Sequence, residues 1–142
     1  MTATKPAKGR NEEPMGKRES QRILYVEDDQ DSQEIMTTLL AIAGYEVTPA
    51  GSVAEGLELA RHRHFSLIIL DSQLSDGTGI GLCQQIRAFD RRTPILFYAG
   101  ASNEADILEA RNAGAQEFLI KPIGIEALEQ TVQRLTQTKN RR

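Results

Sequence analysis

Five short apolar runs recur along the chain: Arg22-Ile-Leu-Tyr-Val26, Tyr45 to Ala50, Leu67 to Leu70, Ile95-Leu-Phe-Tyr-Ala99 and Glu117-Phe-Leu-Ile120. Short apolar runs bounded by turn residues predict strands buried on both faces, as in a parallel sheet. The stretches between them carry apolar residues at helical spacing. Residues 31–43 place Ile35, Leu39, Leu40 and Ile42 on a stripe, and Gly44 supplies the stop. Ser52-Val-Ala-Glu55 has the form of a capping box and opens a helix through Leu57, Leu59 and Ala60. A third stripe runs through Ile80, Leu82, Cys83, Ile86 and Phe89 until Thr93-Pro94 breaks it. Ser102 or Asn103 caps a fourth helix, which Gly114 ends, and Ile125, Leu128, Val132 and Leu135 mark a fifth.

One helix after each of five strands predicts an α/β protein. The expected fold is a flavodoxin-like, doubly wound (βα)₅ with a five-stranded parallel sheet of order 2-1-3-4-5, the more polar second strand at an edge. Residues 1–20 are rich in charge, Pro and Gly and read as a disordered leader. The folded domain is expected over 21–136, with a basic polar tail at 137–142, leaving room for (βα)₅ and nothing else.

Composition narrows the classes. Aromatics make up 5% and Trp is absent, so the core must be aliphatic. The single cysteine, Cys83, excludes an internal disulfide and a multi-Cys metal site, and fits small apolar filler in a helix. No apolar run approaches the ~18 residues of a membrane span, and the expected compartment is the cytoplasm. The net charge of −3 conceals an asymmetry: residues 23–138 hold eight basic and seventeen acidic side chains. Such a body suits a cation or a basic partner and argues against nucleic acid.

Chemistry gathers at the strand ends. The first strand runs into Glu27-Asp28-Asp29, the third into Asp71, the fourth into Ala99-Gly100 and the fifth into Lys121-Pro122. Taken alone, Asp71 is equally a turn or cap residue. In a 2-1-3-4-5 sheet, however, strands one and three are neighbours at the switch point, where binding crevices lie. Their carboxylates would converge and repel unless a cation is present, and hard oxygen donors suit Mg²⁺. Asp29 and Asp31 fit the start of the first helix better than a metal site. His62 and His64, in Arg61-His-Arg-His64, read as a solvated helix end.

Val26-Glu27-Asp28, Leu70-Asp71 with Leu74 and Asp76-Gly77-Thr78-Gly79, and Lys121-Pro122, in this order, resemble the receiver domain of two-component response regulators over about residues 22–136. The resemblance implies that Asp71 is the phosphoacceptor, served by a histidine kinase or a histidine phosphotransfer protein. It implies Mg²⁺ held by Glu27, Asp28, Asp71 and the backbone carbonyl of Gln73, and Lys121 paired with the phosphate. It also implies a cis Pro122, a switch at position 99 with the aromatic Phe118, and self-catalysed phosphorylation and dephosphorylation rather than conventional enzymology.

Three positions depart from that pattern. Ala99 stands where Thr or Ser is usual, and without its hydroxyl a phosphate hydrogen bond of about 1.5–3 kcal/mol is lost. Ser75 replaces the usual Pro, and Glu27 the commoner Asp. The leading expectation is a stand-alone receiver that signals by partner binding or phosphorelay. A receiver-like binding module with weakened or absent phosphorylation control is the alternative. An aspartate-nucleophile phosphatase would need Asp at position 73, where Gln73 stands.

Overall fold

The computed structural model describes residues 21–100 and 102–140, with side chains through 137. The expected leader at 1–20 and the last two residues of the expected tail lie outside them. The elements run β1 (Arg22–Val26), α1 (Gln30–Ile42), β2 (Glu46–Ala50), α2 (Val53–His62), β3 (Leu67–Leu70), β4 (Gln73–Leu74) and β5 (Gly77–Thr78). They continue with α3 (Gly79–Arg87), β6 (Ile95–Ala99), α4 (Glu104–Ala113), β7 (Glu117–Ile120) and α5 (Ile125–Asn140).

Five strands form one sheet in the order β2-β1-β3-β6-β7, and every pairing is parallel. With the small antiparallel hairpin β4–β5 set aside, this is the expected 2-1-3-4-5 order. Four consecutive residues of β3 are buried, as the unbroken run Leu67–Leu70 requires of a central strand with helices on both faces. β2 is an edge strand and carries Pro49, a residue that edges tolerate because it cannot donate to a ladder.

Strand alternation sorts the core into two layers. Leu24, Val26, Ile68, Leu70, Ile95 and Phe97 pack with Ala60, Leu82, Cys83, Ile86 and Ala110 of α2, α3 and α4. Ile23, Tyr25, Leu67, Ile69 and Leu96 pack with Met36 and Leu40 of α1 and with Leu128, Val132 and Leu135 of α5. Cys83 is buried filler, as expected.

Several local expectations need correction. On α1, Met36 and Leu40 are the buried residues, whereas Ile35 and Ile42 are 60% and 78% exposed. Both stripes have helical spacing, and only the direction of approach to the sheet selects between them. Phe89 lies beyond α3 and is exposed, with the Arg61 guanidinium 5.0 Å over its ring. Ile125 opens α5 but is partly exposed, and α5 runs on to Asn140 rather than fading at 136. Glu55 reaches past Ser52 to the Gly51 amide, while Ser52 accepts from the Glu55 amide as expected. Asn103, not Ser102, caps α4, and it forms a full capping box with Asp106. The hairpin β4–β5 was not expected; two-residue strands leave no period to read.

At the opposite end of the sheet from the acids, Arg87 ties α3 to its neighbours. Its guanidinium donates to the carbonyls of Gly114 and Asp90 and to the Gln116 side chain, whose oxygen also accepts from the Ile95 amide. Gly114, at φ 120°, takes the left-handed C-cap that L side chains resist. Asp90 holds the α3–β6 turn by accepting from the amides of Arg92 and Thr93 and from the Thr93 hydroxyl. Burial works against the Asp90 charge, but the Thr93 and Arg92 bonds outweigh it and hold the carboxyl below its ordinary range. The stabilisation is therefore present above the unfolded value near 3.9 and is lost as pH falls through the lower folded value. Asp90→Ala should cost about 1–2 kcal/mol in urea unfolding at pH 7. The difference from wild type should shrink as the acid titration proceeds.

Candidate functional site

Parallel pairing brings the carboxyl ends of β1, β3, β6 and β7 to one side of the molecule. β1 and β3 are hydrogen-bonded neighbours, with Val26 opposite Leu70, so the residues that follow them must crowd together. One carboxylate oxygen from each of Glu27, Asp28 and Asp71 lies within 4.8 Å of the other two. Lys121, just past β7, reaches into the same cluster with its ammonium 2.8 Å from Glu27 Oε1 and 3.8 Å from Asp71 Oδ2.

Glu27 is 2% exposed and takes three donors. The Tyr25 hydroxyl and Lys121 ammonium bond to Oε1, and the Asp29 amide to Oε2. Burial pushes its carboxyl up, but Lys121 and the Asp29 amide prevail and leave it below the ordinary value. Asp71 moves the other way. Burial, and then the Glu27 charge, push it up to about 6 against the pull of Lys121 and of the Ser72 amide, which donates to Oδ1 at 2.7 Å. Lys121, despite partial burial, is held above its ordinary value by Glu27 and Asp71. Asp28 is exposed at the rim. This is a like-charge crowd countered, among the described residues, by Lys121, the kind of arrangement that clusters at functional sites.

A cavity of about 630 Å³ opens over Asp71, lined also by Gln73, Thr78, Gly100, Ser102 and Lys121. Gln73 lies on β4, so the hairpin forms one wall. Asp76 pins that hairpin by accepting from the Val53 and Ala54 amides, the free first-turn donors of α2. Gly79 lets α3 start directly beneath the strand end. A Cβ there would fall on the Asp71 carbonyl oxygen and lie 2.8 Å from the Phe97 ring.

The remaining expected residues sit as follows. Asp29 caps α1 by accepting from the Ser32 amide, and Asp31 lies in its first turn. Lys121-Pro122 is a cis peptide. Ala99 is 1% exposed at the end of β6, and its carbonyl accepts from the Lys121 amide. Phe118 turns inward and stacks on Phe97, with ring centroids 5.5 Å apart and planes 2° from parallel. Tyr98 faces the other layer, where the Lys121 ammonium lies 5.4 Å from its ring. His62 is exposed on α2 beside Glu58, away from the cluster. Tyr25 is a polar contributor that sequence reasoning missed, and Asp76 stood there only as part of a motif, with no role. Tyr25 hides in an apolar strand, and the role of Asp76 depends on a contact 22–23 residues away.

The profile of the response regulator receiver domain matches residues 23–133. The chain belongs to that family. Among relatives of this receiver, the nisin biosynthesis regulatory protein NisR of Lactococcus lactis subsp. lactis is 32% identical over 107 residues, spanning 75% of this chain and 46% of that protein. The transcriptional regulatory protein ZraR of Escherichia coli O157:H7 is 33% identical over 112 residues, 79% of this chain and 25% of ZraR. The chain thus spans less than half the length of these relatives. Among solved structures, the non-phosphorylated HemR receiver domain of Leptospira biflexa superposes with a TM-score of 0.77 at 31% identity, covering 82% of this chain and 94% of that one. A CheY-like receiver domain protein from Methanospirillum hungatei JF-1 reaches 0.83 at 24% identity, covering 86% and 98%, and supports the fold.

Because Gly79 abuts the backbone of Asp71, Gly79→Ala should destabilise the receiver by about 1–3 kcal/mol through overpacking. Thermal unfolding checks this. Gly81→Ala, with only the Thr78 side chain near, at 3.2 Å, should stay much closer to wild type.

Proposed function

We propose that this receiver accepts a phosphoryl group onto Asp71 from the phosphohistidine of a histidine kinase or histidine phosphotransfer protein. It then signals by binding a partner protein or by passing the group onward. The observation that carries this reading is the convergence of three carboxylates, one oxygen of each within 4.8 Å of the others, with Lys121 against two of them, at the carboxyl ends of the strands. No helix among the described residues is long and apolar enough to cross a membrane. A cytoplasmic location is part of the same proposal, since the lone buried Cys83 fits a reducing compartment.

The donor set consists of hard oxygens, so Mg²⁺ fits it better than a softer metal would. Glu27, Asp28, Asp71 and the Gln73 carbonyl would hold the ion, which when bound offsets charge on the phosphoryl oxygens and orients them for in-line transfer. The Asp71 carboxylate attacks phosphorus, and the P–N bond to the donor imidazole breaks with its electron pair returning to nitrogen. An acyl phosphate results. The Ser72 amide fixes one oxygen of Asp71 and so presents the carboxylate in one orientation. Lys121 lies close enough to move from Glu27 to a phosphoryl oxygen, where a charge-assisted bond awaits it.

Ala99 favours a second reading, a binding module with weakened phosphorylation control. Its buried methyl supplies no hydroxyl at the strand end. Asp71, its acidic neighbours and Lys121 nevertheless lie close together, which supports the reading that Ala99 bears on the response more than on the transfer.

Incubation with Mg²⁺ and acetyl phosphate should add one phosphate-sized increment to the intact mass. Asp71→Asn should abolish it; an increment that persists in this variant, or none in the wild type, sinks the phosphoacceptor reading. Ala99→Thr should lengthen the lifetime of the adduct severalfold or tighten partner binding. If neither changes, the missing hydroxyl has no functional weight.

A further inference from the structure

Tyr25 is 1% exposed and belongs by burial to the core layer under α1 and α5. Its hydroxyl nevertheless reaches the site. Residues two apart along a strand share a face, and Glu27 follows Tyr25 on that face and accepts its O–H at 3.2 Å. A phenolic O–H is a donor at neutral pH, and the carboxylate oxygen it meets can only accept. The neighbouring Lys121 bond, at 2.8 Å, is the shorter one. It is also the one that the proposed function requires to break, because Lys121 must leave Glu27 for a phosphoryl oxygen.

We infer that Tyr25 is a positioning residue for the acidic pocket: its hydroxyl holds the Glu27 carboxylate in register for a cation while Lys121 is drawn away. This inference rests on the metal and phosphoacceptor reading above. A glutamate has more need of such a hold than an aspartate, since it has one more rotatable bond to immobilise. A tyrosine ring clamped in a close-packed layer is a rigid donor with two side-chain torsions. Without Tyr25 and with Lys121 displaced, Oε1 would lose both of its side-chain donors, leaving the Asp29 amide on Oε2 to orient the group. Outer partners that orient ligands in this way commonly alter metal affinity by about 10–100-fold.

The test is Mg²⁺ binding to the full chain by titration calorimetry, combined with a double-mutant cycle. Tyr25→Phe keeps the ring and removes the hydroxyl. It should weaken Mg²⁺ binding about tenfold. Glu27→Asp withdraws the carboxylate by one methylene from the phenol, so adding Tyr25→Phe to it should change binding less than twofold. Equal losses in both backgrounds would mean that Tyr25 acts through packing, and the inference falls. It falls alone if the wild type binds Mg²⁺ and takes phosphate from acetyl phosphate while Tyr25→Phe binds as tightly. If the wild type binds no Mg²⁺, the inference and the metal reading fail together.

Discussion

The close approach of Glu27 and Asp71 is the constraint around which the rest of the structure is arranged. Parallel pairing of β1 with β3 puts their carboxyl ends side by side, and the chain places an acid at each. Two carboxylates in a partly buried site cannot both ionise without cost. The cost is distributed unevenly: Glu27, deeper and better bonded, keeps its charge, and Asp71 is pushed up to about 6. Lys121 bridges them from β7, which explains why a strand two places away from β3 must end where it does. The sheet order thus has an electrostatic consequence, since one lysine can meet both acids only when strands one, three and the last all end on the same side.

Much of this was legible because strands in a doubly wound sheet are short, apolar and bounded by chemistry. The runs ending at Val26, Leu70, Ala99 and Ile120 located four strand ends, and the sheet order followed from the alternation of elements. The residues that meet at the site were therefore readable from position alone, whereas their roles came through resemblance. What escaped depended on contacts distant in sequence or on a choice between equivalent periods. Arg87 serves carbonyls 3 and 27 residues on, and Asp76 serves a helix that begins 23 residues before it. Ile35 and Met36 are adjacent on α1, and only the way α1 lies against the sheet decides that Met36 turns inward. An apolar count cannot make that decision.

Ala99 separates two properties that a hydroxyl there would have joined. The proposed transfer chemistry would draw on Asp71, its acidic neighbours and Lys121, none of which needs a side-chain oxygen at position 99. Conformational response draws on what moves afterwards, and the elements near position 99 are unevenly anchored. α4 buries only Ala110 and leaves Leu108 58% exposed, so little apolar contact opposes its displacement. Phe118 is stacked on Phe97 beneath it, and outward rotation would give up that stacking as well as burial.

On the proposed function, Lys121 would provide a route for response that does not pass through position 99. Its ammonium touches Glu27, lies near Asp71 and sits 5.4 Å from the Tyr98 ring. A phosphoryl group on Asp71 would compete for it with two or more new anionic oxygens, and a charge-assisted bond to phosphate is among the stronger ones available. Moving the ammonium would strip Glu27 of its shortest contact and Tyr98 of its cation, on the face covered by α1 and α5. That face is also lined by Ile35 and Ile125, apolar and exposed, around a cavity of about 230 Å³ that includes Tyr25, Tyr98 and Lys121. Because the same lysine closes the acidic cluster and borders this cavity, a phosphoryl group on Asp71, as proposed, would be felt on the α1–α5 surface without a hydroxyl at position 99.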